Sequence, residues 1–191
     1  MKVEKDLIRR AKKGDFIAFE DLICGYEKKV YNTVFRFFNN EQDAMDITQE
    51  IFIKVFTSLK SFRENSSFST WLYRISVNTC IDFFRKKKED MLPINEEMAV
   101  GGEVKLGSQT ELPEVFVQNQ ELKQILAQAI NTLPEEQRMC VILRDIQGFS
   151  YTEISEILSC SLGTIKSRIS RGRRALKDKL KETELFSAND V

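Results

Sequence analysis

The stretch from Ser150 to Leu180 leaves this chain the least freedom. Ile154, Ile157 and Leu158 recur at spacings of three and four, so they share one face of a short helix. Ser150 is a hydroxyl residue suited to the helix start, and Glu153 follows it at capping-box distance. A polar connection, Ser159-Cys160-Ser161, leads into a second helix whose buried side is marked by Ile165, Ile169, Leu176 and Leu180. The opposite side carries Thr164, Lys166, Ser167, Arg168, Arg171, Arg173 and Arg174. One stripe is built for burial and the other for an anion. Two such helices across a tight turn form a helix-turn-helix, a motif whose second helix enters the DNA major groove.

Charge supports that reading. From Ser161 to Lys181 eight basic residues stand against one acid, Asp178, in a chain whose formal net charge is zero. Arginine presents a planar fork that matches the two major-groove acceptors of guanine, and phosphates take any well-placed cation. The compensating acids are concentrated elsewhere: from Glu89 to Glu121 eight acids face Lys105 alone. That segment also holds Pro93, Gly101-Gly102, Gly107 and Pro113 with little periodicity, the composition of a flexible linker. Gly172, inside the second helix, costs about 1 kcal/mol relative to alanine, which a close backbone approach would justify.

The 191 residues suffice for two small domains, and long alternating patterns are missing, so the expected fold is all-α. There is no histidine, which excludes imidazole metal ligands and histidine acid–base catalysis. The four cysteines, Cys24, Cys80, Cys140 and Cys160, have no paired spacing and suit a reducing cytosol. No nucleophile–base arrangement or phosphate-cradling loop is visible. The expectation is a cytoplasmic non-enzyme with no metal, no cofactor and no membrane insertion.

Upstream, Val3–Lys13 is expected as an amphipathic helix with Val3, Leu7, Ile8 and Ala11 inward, and Asp15 as the cap of the next. That second helix, Phe16–Phe38, carries Phe16, Phe19, Ile23, Tyr26, Val30, Val34 and Phe37 as a core stripe. A third, beginning near Glu41, buries Ala44, Ile47, Ile51, Phe52, Val55 and Leu59. Asp43, Asp46, Gln49 and Glu50 occupy another side of it. Helix-dipole complementarity accounts for Asp43, and a docking face for a basic or polar partner is the rival account of the other three. After a polar loop holding Phe62 and Phe68, a helix over Thr70–Lys88 ends in Arg85-Lys86-Lys87-Lys88. This cluster suits a helix C-terminus, and beside Trp71, Tyr73, Arg74 and Asn78 it also suits single-stranded nucleic acid. Helices near Glu114–Thr132 and from Pro134 to Gly148 then lead into the helix-turn-helix.

Three stretches in this order resemble the bacterial RNA polymerase sigma factors of the extracytoplasmic-function (ECF) group. DAMDITQEIFIKVF resembles the second-region helix that docks on a coiled coil of the polymerase β′ subunit. FSTWLYRISVNTCIDFFRKKK resembles the promoter-melting and −10-reading segment. LPEEQRMCVILRDIQGFSYTEISEILSCSLGTIKSRISRGRRALKDKL resembles the fourth region, which reads the −35 element. The resemblance implies region 2 in residues 1–90, a linker in 91–112 and region 4 in 113–191. It implies core polymerase, through its β′ and β subunits, promoter DNA and an anti-sigma factor as partners.

By the same resemblance Asp46, Gln49 and Glu50 fall on the polymerase-docking face. Phe62, Tyr73, Ile75 and Asn78 fall where the family holds a base flipped from the non-template strand, and Arg74, Arg85, Lys86 and Lys87 where backbone is gripped. Thr164, Ser167, Arg168 and Arg171 match groove-facing positions, with Lys166, Arg173 and Arg174 on phosphate. A stand-alone helix-turn-helix regulator is the alternative, and it predicts specific promoter binding by the free protein. A further rival makes the first domain a protein-interaction module or an RNA anchor.

Overall fold

The computed structural model describes residues 2–90, 122 and 124–181, and the expected linker, with most of the helix expected from Glu114, lies outside them. The described residues contain helices and no strand. Helices α1 (Lys2–Lys12), α2 (Phe16–Phe38), α3 (Glu41–Ser58) and α4 (Phe68–Asp90) form the first domain, with a 3-10 turn at Leu59–Ser61. The second contains a helix over residues 124–131 (α5), α6 (Glu135–Val141), α7 (Tyr151–Leu158) and α8 (Leu162–Lys181).

Local chemistry sets most of these boundaries. Asp15 Oδ1 accepts the Ala18 N–H at 3.0 Å and starts α2. Asn39 ends it in the left-handed region at φ 52°, where its short amide side chain is tolerated. Asn40 then caps α3 through the Asp43 N–H at 2.9 Å. The capping box at α7 is complete: Glu153 N–H donates to Ser150 Oγ at 3.2 Å, and Ser150 N–H donates to Glu153 Oε2 at 2.8 Å. Ser159 closes α7 at φ 51°, and Ser161 Oγ takes the Thr164 N–H to open α8.

The core stripes of α2 and α3 pack on each other and on α4, with Val30, Val34, Ile51, Val55 and Leu72 wholly buried. Two stripe members depart from expectation. Val3 is 74% exposed and Phe16 is 56% exposed: each stands in the first turn of its helix, and Phe16 is covered only in part, by contact with Phe56. Helical spacing gives the direction of a stripe but not how far the neighbouring helix extends along it. In the second domain, α6 continues as a π turn over Ile142–Ile146, with Gln147 N–H donating to Ile142 O at 3.0 Å. α6 and α8 pack very closely. A Cβ on Gly172 would stand 2.8 Å from Val141 Cγ2, so the glycine admits a helix crossing that alanine would obstruct. The buried side chains of the two domains join in one continuous cluster.

Candidate nucleic-acid and polymerase interfaces

On α3, Asp46, Gln49 and Glu50 all lie exposed. Asp46 accepts from Gln42 Nε2 at 3.1 Å and Glu50 pairs with Lys54 at 2.7 Å, both within the same helix. Such exposed pairs are weak and readily exchanged for an incoming cation. Asp43 is different. Its carboxylate is drawn onto α4 by Lys87 at 2.6 Å and its side chain is only 18% exposed, so it ties two helices together. The exposed stripe continues along α3 through Met45, Ile53 and Phe56, and Phe16 packs edge-on against Phe56 with centroids 5.9 Å apart.

The residues expected at a flipped base divide by burial. Phe62 is buried against Trp71, with centroids 5.1 Å apart, and against Phe68. Lys12 Nζ donates to the Phe62 carbonyl and stands 5.3 Å from its ring centroid. Tyr73 is buried, its ring edge-to-face with Phe149 at 4.7 Å and its hydroxyl donating to Gln147 Oε1 at 3.0 Å. Ile75 and Arg74 are half-buried, and Arg74 Nε is enclosed without an acceptor. Asn78, Arg85 and Lys86 are exposed. Arg85 and Lys86 line an open cleft of about 270 Å³ with Lys54, Thr79 and Asp82, and Lys87 is engaged by Asp43.

The cations of α8 also fall into two groups. Lys166, Arg171 and Arg174 project from the helix, exposed. Arg168 is clasped by Glu136 at 2.5 Å and donates to Cys160 Sγ at 3.3 Å, which fixes the fork at the helix-turn-helix corner. Arg173 makes a two-nitrogen pair with Asp145, with Nε donating at 3.1 Å, and that carboxylate raises the guanidinium above its ordinary pKa. Thr164 and Ser167 are half-buried, Thr164 Oγ1 sharing a 2.8 Å hydrogen bond with Ser161 Oγ and Ser167 Oγ donating to Thr164 O. All four cysteines are free thiols. Burial pushes Cys80 up to about 12 and Cys140 to about 11, so both are neutral, while Cys24 is exposed.

Two family matches divide the chain as these faces do. Residues 22–89 match Sigma-70 region 2, and residues 123–176 match Sigma-70 region 4. The ECF RNA polymerase sigma factor SigW of Bacillus subtilis (strain 168) is 41% identical over 182 residues, which cover 93% of this chain and 97% of SigW. The ECF RNA polymerase sigma-E factor of Escherichia coli (strain K12) is 40% identical over 180 residues, 91% of this chain and 92% of its own. The chain belongs to the ECF RNA polymerase sigma factors. As an ECF sigma factor it is a transcription initiation factor, working with core RNA polymerase at promoters.

Solved structures share the two-domain helical fold. The sigma factor RpoE bound to the anti-sigma factor NepR from Bartonella quintana superposes with a TM-score of 0.68 at 26% identity, covering 85% of this chain and 96% of that one. CnrH, solved with the cytosolic domain of CnrY, gives 0.70 at 22% identity, over 95% of this chain and 99% of CnrH. No helix among the described residues is long and apolar enough to cross a membrane.

Sequence reasoning missed the carboxylates that hold this sigma factor's candidate DNA-binding cations. Asp145 and Glu136 carry no periodic or motif signal, and each meets its arginine only because α6 lies across α8. It likewise missed Gln147 and Phe149, whose partner Tyr73 is 74 residues from Gln147 in the chain.

Proposed function

We propose that this sigma factor docks on core RNA polymerase through Asp46, Gln49 and Glu50 of α3, facing basic groups of the β′ coiled coil, with the β subunit as a further contact. One observation carries the reading. Asp43, Asp46 and Glu50 share a helical row, yet only Asp43 is committed to another helix, leaving the next two turns exposed. Residues 1–90 then act as region 2 and residues 113–191 as region 4, with 91–112 as the linker.

In this proposal region 2 traps melted −10 DNA. Tyr73, Ile75 and Asn78, over a floor containing Phe62, receive an extruded base, and Arg74, Arg85, Lys86 and Lys87 hold backbone. Region 4 reads the −35 element in the major groove with Thr164, Ser167, Arg168 and Arg171, while Lys166, Arg173 and Arg174 take phosphates. Arg168 has both terminal nitrogens engaged, one by Glu136 and one by Cys160 Sγ, so it must leave Glu136 to read a base edge, whereas exposed Arg174 suits a phosphate. The mechanism is recruitment and strand capture, with no chemical step. It operates in the cytoplasm, where polymerase works, and the likeness to RpoE in its NepR complex supports control by an anti-sigma protein that covers these faces.

Charge reversal tests the docking face. The double variant Asp46→Lys, Glu50→Lys is expected to lose core polymerase binding in a pull-down and promoter transcription in vitro, with an unchanged melting profile. Full transcription by this variant sinks the assignment.

A further inference from the structure

Within the capture reading of Tyr73, we propose that the free chain shuts its own −10 face: Phe149 and Gln147 of region 4 occupy Tyr73 as a stand-in for the flipped base. Tyr73 lies on α4, within the segment proposed to receive single-stranded DNA, yet it is only 2% exposed. Thr33 of α2 meets its hydroxyl from within the same domain, and further cover comes from the other domain. Phe149 supplies an aromatic ring at 4.7 Å and 67°, and Gln147 supplies a carboxamide oxygen 3.0 Å from the hydroxyl. A nucleobase offers the same pair of features, a π surface and a polar edge. The two ligands therefore compete for one surface.

A second contact clamps the seam. Arg138 of α6 donates through Nη1 to the carbonyl of Phe37 at 2.7 Å, reaching one of the unpaired carbonyls at the end of α2. The same guanidinium lies 5.6 Å from the Phe37 ring centroid and donates to the carbonyls of Leu133 and Asn131 in its own domain. α7 rests along α4, so closure is a packed interface rather than a single touch.

Closure leaves the other reader open. Lys166, Arg171 and Arg174 of α8 stay exposed while Tyr73 is covered. Duplex −35 DNA can therefore engage first, and base capture waits until the domains part. Apparent affinity for single strands falls in proportion to the open fraction.

The test uses the full chain and the variants Gln147→Ala and Phe149→Ala. Gln147 is half-exposed, so its truncation leaves the fold intact even where loss of Phe149 loosens region 4. Opening is read by tetranitromethane nitration of Tyr73, followed by peptide mass spectrometry. Binding is read by competition with a fluorescent randomised single-stranded DNA 12-mer library, and a duplex library serves as control. Losing one neutral hydrogen bond shifts the opening equilibrium about fivefold. Gln147→Ala should therefore nitrate faster and bind single strands about fivefold tighter, Phe149→Ala more so, with duplex binding unchanged. If neither nitration nor single-strand affinity rises in either variant, the latch does not exist. Faster nitration without tighter binding overturns the capture reading of Tyr73 and leaves the latch standing.

Discussion

Alanine at Gly172 sets two opposing effects against each other. On an exposed helix the change gains about 1 kcal/mol, because glycine loses more backbone entropy on becoming helical. Here the new Cβ would stand 2.8 Å from Val141 Cγ2, where ordinary van der Waals contact begins at 3.4 Å. Val141 cannot step aside easily: it is 3% exposed, and a β-branched side chain in a helix has one strongly preferred rotamer. Relief requires α6 and α8 to separate by several tenths of an ångström across their whole contact. Overpacking of this kind costs about 1–3 kcal/mol, so the net effect of Gly172→Ala is a destabilisation of about 0–2 kcal/mol. The sign reverses once the obstruction is removed. Val141→Ala alone costs about 2 kcal/mol, and on that background Gly172→Ala should recover about 1 kcal/mol. Urea unfolding of the four proteins, followed by circular dichroism, gives the coupling energy directly, expected at about 1–3 kcal/mol. Equal effects of Gly172→Ala on both backgrounds would refute the close-approach argument.

Asp145→Asn releases Arg173 for a phosphate. Binding to −35 duplex should tighten for all sequences alike, with a salt dependence steeper by about one counterion, measured by fluorescence anisotropy over a salt series. An unchanged salt slope would mean that Arg173 faces away from the duplex. Ser150→Ala removes the side-chain half of the capping box, leaving the backbone N–H to Glu153 in place, and should cost about 1 kcal/mol in urea unfolding, while Thr152→Ala, outside the box, should cost much less.

What was legible in the sequence was what neighbouring residues decide. Asp15 and Ser150 cap where their spacing says, since a cap needs only the next three residues. The stripes of α2 and α3 lie inward for most of their length for the same reason. Val3 and Phe16 fail because exposure at a helix end depends on where the neighbouring helix stops. The polar side of α3 divides likewise: spacing puts Asp43, Asp46, Gln49 and Glu50 together, but only the crossing of α3 and α4 commits Asp43 to Lys87.

The sequence by itself determined that this is an all-helical chain with a one-signed recognition helix and an acid-edged helix near its start. Those properties follow from periodicity, capping and composition, which are local. The tertiary structure alone decided which arginines of α8 are already paired and why Gly172 is a glycine. It alone put Tyr73 beneath Phe149. Each of these depends on side chains brought together from distant parts of the chain, 28 positions apart for Asp145 and Arg173 and 74 for Tyr73 and Gln147. No local pattern encodes that proximity, because it arises from how helices cross once their stripes are buried.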